Sequence, residues 1–443
     1  MNALFPSAAL AAGVLGSLGL GFLPRRAPAL LRVLAVLSLG SALLLLGRVG
    51  EGAALPPLIA SDALALAWQS VILLAALPMA LWLDSDDARA ALFLGSTLGM
   101  LLLASASNLL MLFVGLEFMS LPAYLLVVRS RGDEGRRLEA ATKYFFAGGV
   151  GGALFLLGMA LWYAQTRSLG PSALLVTGGA QAGLALMGAC ALFKIGAVPL
   201  HFWLPDAYEA SDPEVAGFFS TAMKAAAVLL LMRLCRYAPG AAFAAWLPAV
   251  GALTALVGAV MALRQERLAR LLAYSSVSHA GLLILGVGAW AARGLPPEGV
   301  SALLFYLAAY AFMSNGAFAF LRASGARTRA DLAGYARRSP ALAAAFAALL
   351  FSLAGIPPTG GFFAKLLVLW QSVQSGLLVP AGVAALAALV SLGFYLGLVR
   401  ALYLEEPAGE GPRPGPGAGL TAALAAGAVL LGLAPWALAG GGL

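Results

Sequence analysis

Charge is what this sequence has least of. Only 10% of its 443 residues are charged, against about 25% in a soluble domain. With 62% hydrophobic residues, this excludes an ordinary soluble globular protein and leaves a polytopic membrane protein. Cysteine and histidine are nearly absent, at two each. Two histidines and no cysteine cluster cannot build a convincing metal, haem or iron–sulfur centre. Cys190 and Cys235 both fall in apolar runs, so core packing, and not a disulfide framework, is the expectation. There is no GxxxxGK[ST] loop and no alternation of strands and helices from which a dinucleotide fold could be built. The net charge of +8 is no nucleic-acid footprint, because the arginines are scattered over short connections without interleaved aromatics. No basic residue precedes Arg25, so the first apolar run reads as a retained span and not as a cleaved signal. Moving a proton against a potential costs about 2.3 kcal/mol per 100 mV. With no cofactor of its own, the chain must exchange one ion for another or be driven by a partner.

Lysine is the scarcest cation. Lys143, Lys194, Lys224 and Lys365 are the only four among 27 basic residues. Lys194, Lys224 and Lys365 fall inside apolar runs, whereas the arginines lie almost entirely in connections or at span ends. A charge at the bilayer centre costs about 2.5–3.5 kcal/mol on insertion scales and usually marks an ion or proton pathway. A desolvated lysine can lose its proton and an arginine effectively cannot, so the placement reserves the titratable cation for the interior.

Spans of about 20 residues give fourteen candidates: 3–23, 28–46, 62–83, 89–107, 109–128, 139–163, 173–200, 214–236, 243–263, 271–292, 300–321, 341–370, 379–403 and 420–438. The seventh is broken by the Gly196–Pro199 pair and the twelfth by 355–361, GIPPTGG. Such breaks are tolerable only where protein or water covers the freed backbone. Of 23 arginines, eighteen lie nearest odd-numbered connections, which places those in the cytoplasm and both termini outside. Spans four to eight and nine to thirteen form two groups of five. Five is odd, so equivalent helices would run in opposite directions, the inverted-repeat plan of many transporters. The expected organisation is 1–88 with three spans, 89–240 and 241–404 with five each, and 405–443 with a Pro/Gly-rich loop and the last span.

Glu117 is the only carboxylate deep in a span, and an ion pair with Lys194 is the expected arrangement; a static pair locking two helices is the alternative. Lys194, Lys224 and Lys365 are candidate proton carriers, and snorkelling to an interface competes most strongly at Lys224. Lys143, beside the 136–139 loop, reads as an interfacial lysine. His279, beside Ser275, Ser276 and Ser278, suggests a wetted proton path, and His201 lies at the seventh break. Asp206, Glu209, Asp212 and Glu214 are most simply solvated, although Asp206 and Glu209 could line a half-channel entrance.

As a set, several motifs resemble the antiporter-like subunits of respiratory complex I: GLEFMSLPAYLLV around Glu117, EAATKYFFAGG (139–149), FKIGAVPLHFWLPDAYE (193–209), LARLLAYSSVSHAG (268–281), DLAGYARRSP (331–340) and GIPPTGGFFAKLLVL (355–369). The resemblance covers most of residues 90–403. It implies an all-α fold of about fourteen transmembrane helices with two inverted five-helix repeats, broken helices seven and twelve, and a central polar axis. By motif, Glu117 matches the fifth-helix glutamate, Lys194 and Lys365 the lysines of the broken helices, Lys224 the connecting lysine of the eighth, and His279 the tenth-helix histidine. The turn 210–215 departs from the family's GAPTPV-like pattern by adding Asp212 and Glu214. The resemblance further implies proton translocation driven by redox chemistry elsewhere, with NADH, FMN, iron–sulfur clusters and quinone held by partner subunits. The implied neighbours are the antiporter-like subunit M on one side and small subunits J and K on the other, in a bacterial inner membrane. A subunit of an Mrp-type cation/proton antiporter is the alternative. The arginine distribution predicts that a cysteine placed at Gly132, in the fifth connection, reacts with a membrane-impermeant thiol reagent only from the cytoplasmic side. Reaction only from the outside would reverse the orientation.

Overall fold

The computed structural model describes residues 4–20, 28–83, 86–171, 178–237, 243, 245–406, 415 and 417–435. Arg25, Arg26 and Arg413, residues 173–177 of the seventh predicted span, the ends of the first and last spans, and most of the 405–419 loop lie outside the described residues.

The described residues are almost wholly helical. In chain order the helices are α1 (Phe5–Leu20), α2 (Pro28–Leu46), α3 (Ala63–Ala80), α4 (Asp87–Ala104), α5 (Leu109–Val128), α6 (Glu134–Thr166), α7 (Gly178–Ile195), α8 (Trp203–Ala210), α9 (Pro213–Phe218), α10 (Lys224–Cys235), α11 (Leu247–Ala262), α12 (Leu268–Ala292), α13 (Pro297–Ser324), α14 (Tyr335–Arg338), α15 (Pro340–Ala354), α16 (Gly360–Gln374), α17 (Leu378–Leu404) and α18 (Ala418–Leu433). One antiparallel hairpin, β1 (Gly52–Leu55) with β2 (Ile59–Ser61), precedes α3. Every one of the fourteen predicted spans contains helix. Ten helical segments among the described residues are long and apolar enough to cross a membrane, and α1, α11, α15 and α18 are apolar but shorter.

The chain forms two compact units: Met1–Lys194 with Ala222–Ala238, and Ile195–Thr221 with Pro239–Leu443. In the first, α5 starts where Asn108 Oδ1 accepts the Met111 N–H, and it packs along α4 and α6. Its Gly115 lets the backbones touch, since a Cβ there would stand 2.5 Å from Leu103 N. In the second, α11 packs along α12. Small residues at such seams replace the hydrophobic drive that lipid cannot supply.

Both predicted breaks are present. α7 stops at Ile195, Gly196 takes φ 86°, and helix resumes at Trp203. α15 stops at Ala354, Gly355 takes φ 85° in the left-handed region that glycine adopts without strain, and α16 begins at Gly360. The eighth predicted span is one apolar helix over Pro213–Cys235 whose middle, Phe219–Met223, is π-helical.

Asp62 caps α3 by accepting from Ala65 N, and it also accepts from Arg233 Nη1 at 2.5 Å and from Arg236 Nη1 at 3.0 Å. Burial pushes the carboxyl upward. The hydrogen bonds and charge of Arg233, with Ala65 N–H and Arg236, outweigh that and hold it at about 2, below its ordinary 3.8. A carboxyl held low contributes stability that is full above its unfolded value and is lost as pH falls through the folded one. Asn can still cap, so Asp62→Asn isolates the charge. It is expected to cost about 1 kcal/mol at pH 7, because the carboxylate is partly exposed. The difference in thermal midpoint from wild type in detergent should shrink as pH falls from about 4 towards 2. A difference independent of pH would contradict the assignment.

Candidate proton-transfer site

The first unit builds a site around Lys194, in the last turn of α7. Its ammonium is buried, and Nζ donates to Ser120 Oγ at 2.8 Å and to Tyr124 OH at 2.8 Å. It also lies over the rings of Tyr124, Tyr144 and Phe193 at 5.1, 5.6 and 5.5 Å from their centroids, inside the range of cation–π attraction. Ser120 and Tyr124 stand three and seven residues after Glu117, so all three share one stripe of α5. The facing stripe of α6 is made of glycine. A Cβ at Gly152 would sit 3.1 Å from Glu117 Oε1, and one at Gly148 would collide with the Tyr124 hydroxyl.

The expected ion pair takes a different form. Glu117 is half-buried, and Lys194 is held by the hydroxyls further along the helix and not by the carboxylate. Among the described residues Glu117 Oε1 has no hydrogen-bond partner. Two neutral hydroxyls satisfy the ammonium at short range, while the carboxylate stays on the same stripe without closing on it. The Cys190 thiol lies within electrostatic reach of both charges.

Lys224 is 2% exposed and opens α10 where the π-helical turn ends. That burial leaves no room for snorkelling. π-turns inside α-helices occur often at functional sites. Lys143 is partly exposed and pairs with Glu139 at 2.7 Å.

The second unit holds Lys365, His279 and His201. Lys365 lies on α16, and its Nζ donates at 2.9 Å to the carbonyl of Ala354, the last residue of α15. A helix C-terminus presents unpaired carbonyls and a partial negative charge, so the break itself supplies the lysine's counter-dipole. Gly355 makes room for this, since a Cβ there would stand 3.0 Å from Lys365 Cδ.

His279 is buried on α12. Its Nδ1 lies 2.7 Å from Tyr306 OH, its Nε2 lies 3.4 Å from Tyr395 OH, and Tyr395 meets the Ser275 hydroxyl. Its ring packs on Tyr310 at 4.8 Å. Tyr310 in turn lies among the hydroxyls of Ser276, Ser314 and Ser220. Ser220 meets Ser314 at 2.7 Å, and Tyr208 meets Ser276 at 3.3 Å. These groups form a buried cluster of hydroxyls around one imidazole. His201 stands apart at the seventh break, half-buried, with its ring edge towards Tyr274 at 6.2 Å. Asp206 and Glu209 are not simply solvated: they pair with Arg270, and Glu209 also pairs with Arg267. Glu214 is buried against Arg322. An arginine in range is worth more to a half-buried carboxylate than partial hydration.

Sequence reasoning missed Ser120, Tyr124, Tyr144, Tyr306, Tyr310 and Tyr395. Hydroxyls carry no charge and look like ordinary span residues. The one available signal was the i, i+3, i+7 spacing from Glu117.

A family model described as NADH:quinone oxidoreductase/Mrp antiporter, transmembrane, matches residues 106–391. The chain belongs to this family. A relative from Streptomyces griseus, named NADH-quinone oxidoreductase subunit N 3, is 39% identical over 78% of this chain and 67% of its own length. A chain of respiratory complex I from Thermus thermophilus superposes with a TM-score of 0.87 at 34% identity, covering 98% of both chains. A chain of the Mrp complex from Dietzia gives 0.86 at 23% identity over 99% of this chain and 95% of that one, which shows a shared fold. The all-helical membrane architecture and the family membership expected from the sequence therefore hold.

Removing Lys194's partners isolates their contribution. Ser120→Ala with Tyr124→Phe leaves a buried ammonium without its two acceptors, which is expected to cost about 2–4 kcal/mol in detergent unfolding. Adding Lys194→Met should recover most of that loss. No recovery would mean that the two hydroxyls stabilise the helices by some other route.

Proposed function

We propose that this chain is a proton-translocating, antiporter-like membrane subunit of a complex I-type NADH:quinone oxidoreductase, driven by redox chemistry in other subunits. The observation that carries the reading is the buried Lys194 ammonium, held by exchangeable hydroxyls on the same helical stripe as the Glu117 carboxylate. Lys194 keeps its proton while a counter-charge is near and releases it when that charge is withdrawn, because burial disfavours the charged form. Rearrangement in a partner that moves charge near Glu117 shifts Lys194 between the carboxylate and the two hydroxyls. Lys224 takes the proton next. In the second unit the His279 cluster and Lys365 carry it on, with His201 beside the seventh break. The matching broken helices, each with a buried lysine, support two inverted five-helix repeats, and the arginine distribution supports both termini outside.

Within the family, the name subunit N carried by the 39% identical relative and the lysine at the twelfth break, where subunit M is expected to carry a glutamate, point the same way. The partners in this reading are subunit M on one side and J and K on the other, in a bacterial inner membrane, with NADH, FMN, iron–sulfur clusters and quinone held by other subunits. The Mrp reading shares the family model but otherwise rests on a 23% identical fold, and it is the weaker of the two.

Lys194→Met and Glu117→Ala are each expected to leave the complex assembled while lowering the protons moved per electron in proteoliposomes. A wild-type ratio in both variants would refute the role.

A further inference from the structure

α16 presents one buried face, made of Gly361, Ala364, Lys365, Val368, Gln371 and Ser372. Lys365 uses its ammonium on Ala354, and Ser372 bonds back to Val368 O. Gln371 differs from both. It is 5% exposed, yet among the described residues neither its Nε2 nor its Oε1 has a hydrogen-bond partner. Its backbone carbonyl is already used, by Ser375. The amide sits against α12 and α13: a Cβ at Gly299 would collide with Gln371 Nε2 and stand 2.6 Å from Trp290 Cδ1. Trp290 Nε1 offers the amide nothing, because it donates to Pro296 O at 2.9 Å.

A buried amide left unpaired at both ends costs several kcal/mol. Leucine would fill the same space without that cost. Buried groups of this kind are satisfied by ordered water where protein offers no partner. The position fits a route. Gln371 lies six residues beyond Lys365, a rise of about 9 Å, towards the membrane end where α12 stops, α13 starts and α16 stops. The arginine distribution makes that end the outer one.

We propose that Gln371 is a positioning residue that holds water between α12, α13 and α16, and that this water carries the proton between Lys365 and the outer face. Its amide donates to one water and accepts from another, so it orders them without titrating. The proposal rests on the proton-translocating reading of Lys365 given above.

The test uses the whole respiratory complex in proteoliposomes, with proton movement expressed per assembled complex and per electron. Gln371→Leu is expected to leave thermal stability equal or higher, to slow proton movement about ten-fold, and to raise the solvent deuterium isotope effect on it. Gln371→Glu, which keeps the shape and a water-binding group, should restore most of the rate. A Gln371→Leu complex that moves protons at the wild-type rate, or one that is slow with an unchanged isotope effect, overturns the proposal. If Gln371→Leu fails to assemble, the same readings on Gln371→Met decide it. Lys365→Met, measured in parallel, separates the two claims. A loss with Lys365→Met but not with Gln371→Leu removes only the role of Gln371. A loss with neither removes the role of Lys365 as well.

Discussion

An ammonium inside a membrane protein must find acceptors within about 3 Å or give up its proton, and the polar chemistry of this chain follows from that constraint. Lys194 finds two hydroxyls and three aromatic faces. Lys365 finds the carbonyl end of a half-helix. These are different solutions with one property in common: among the described residues neither closes a salt bridge. In the proposed function this matters, because a tight buried ion pair would fix the proton, whereas neutral acceptors leave the cation able to respond to a charge arriving nearby.

The backbone is shaped to provide these acceptors. Ending α15 at Gly355 exposes carbonyls that an unbroken helix would use internally, and the lysine placed eleven residues after Ala354 returns to one of them. The glycines of α6 serve the other site, because any larger residue at 148 or 152 would push Tyr124 or Glu117 off the shared stripe. The π-helical turn before Lys224 is, after the Gly355 break, a second local departure from regular helix beside a buried lysine. In each case the irregularity sits where a charge has to be accommodated.

Much of this was legible in the residues. Lysines inside apolar runs stand out against arginines that fall almost entirely in connections or at span ends, and Gly/Pro clusters mark breaks whatever the tertiary structure. Both kinds of signal are local, and the helices, both breaks and the burial of Lys194, Lys224 and Lys365 follow them. The partners were not legible, because they are set by which helices pack together. Tyr306 and Tyr395 read as ordinary span aromatics until α13 and α17 bring them to His279. Hydropathy cannot show that Lys194 bonds to Ser120 and Tyr124 and not to Glu117, since this depends on how far the side chain reaches from α7 to α5. Asp206, Glu209 and Glu214 were misread for the same reason: their arginines come from the start of α12 and from α13, distant in sequence.

In the proposed function the protonation of Lys194 answers to the charge on Glu117, which shares its stripe of α5 with the two hydroxyls that hold the ammonium. The scarcity of lysine makes this directly measurable. With only this chain carrying nitrogen-15 lysine, solid-state NMR of the reconstituted protein should show four side-chain signals, one for each lysine. The account predicts that Glu117→Gln changes the pH response of the Lys194 signal and leaves that of Lys143 as it was. A Lys194 signal unaffected by the loss of the carboxylate would contradict it.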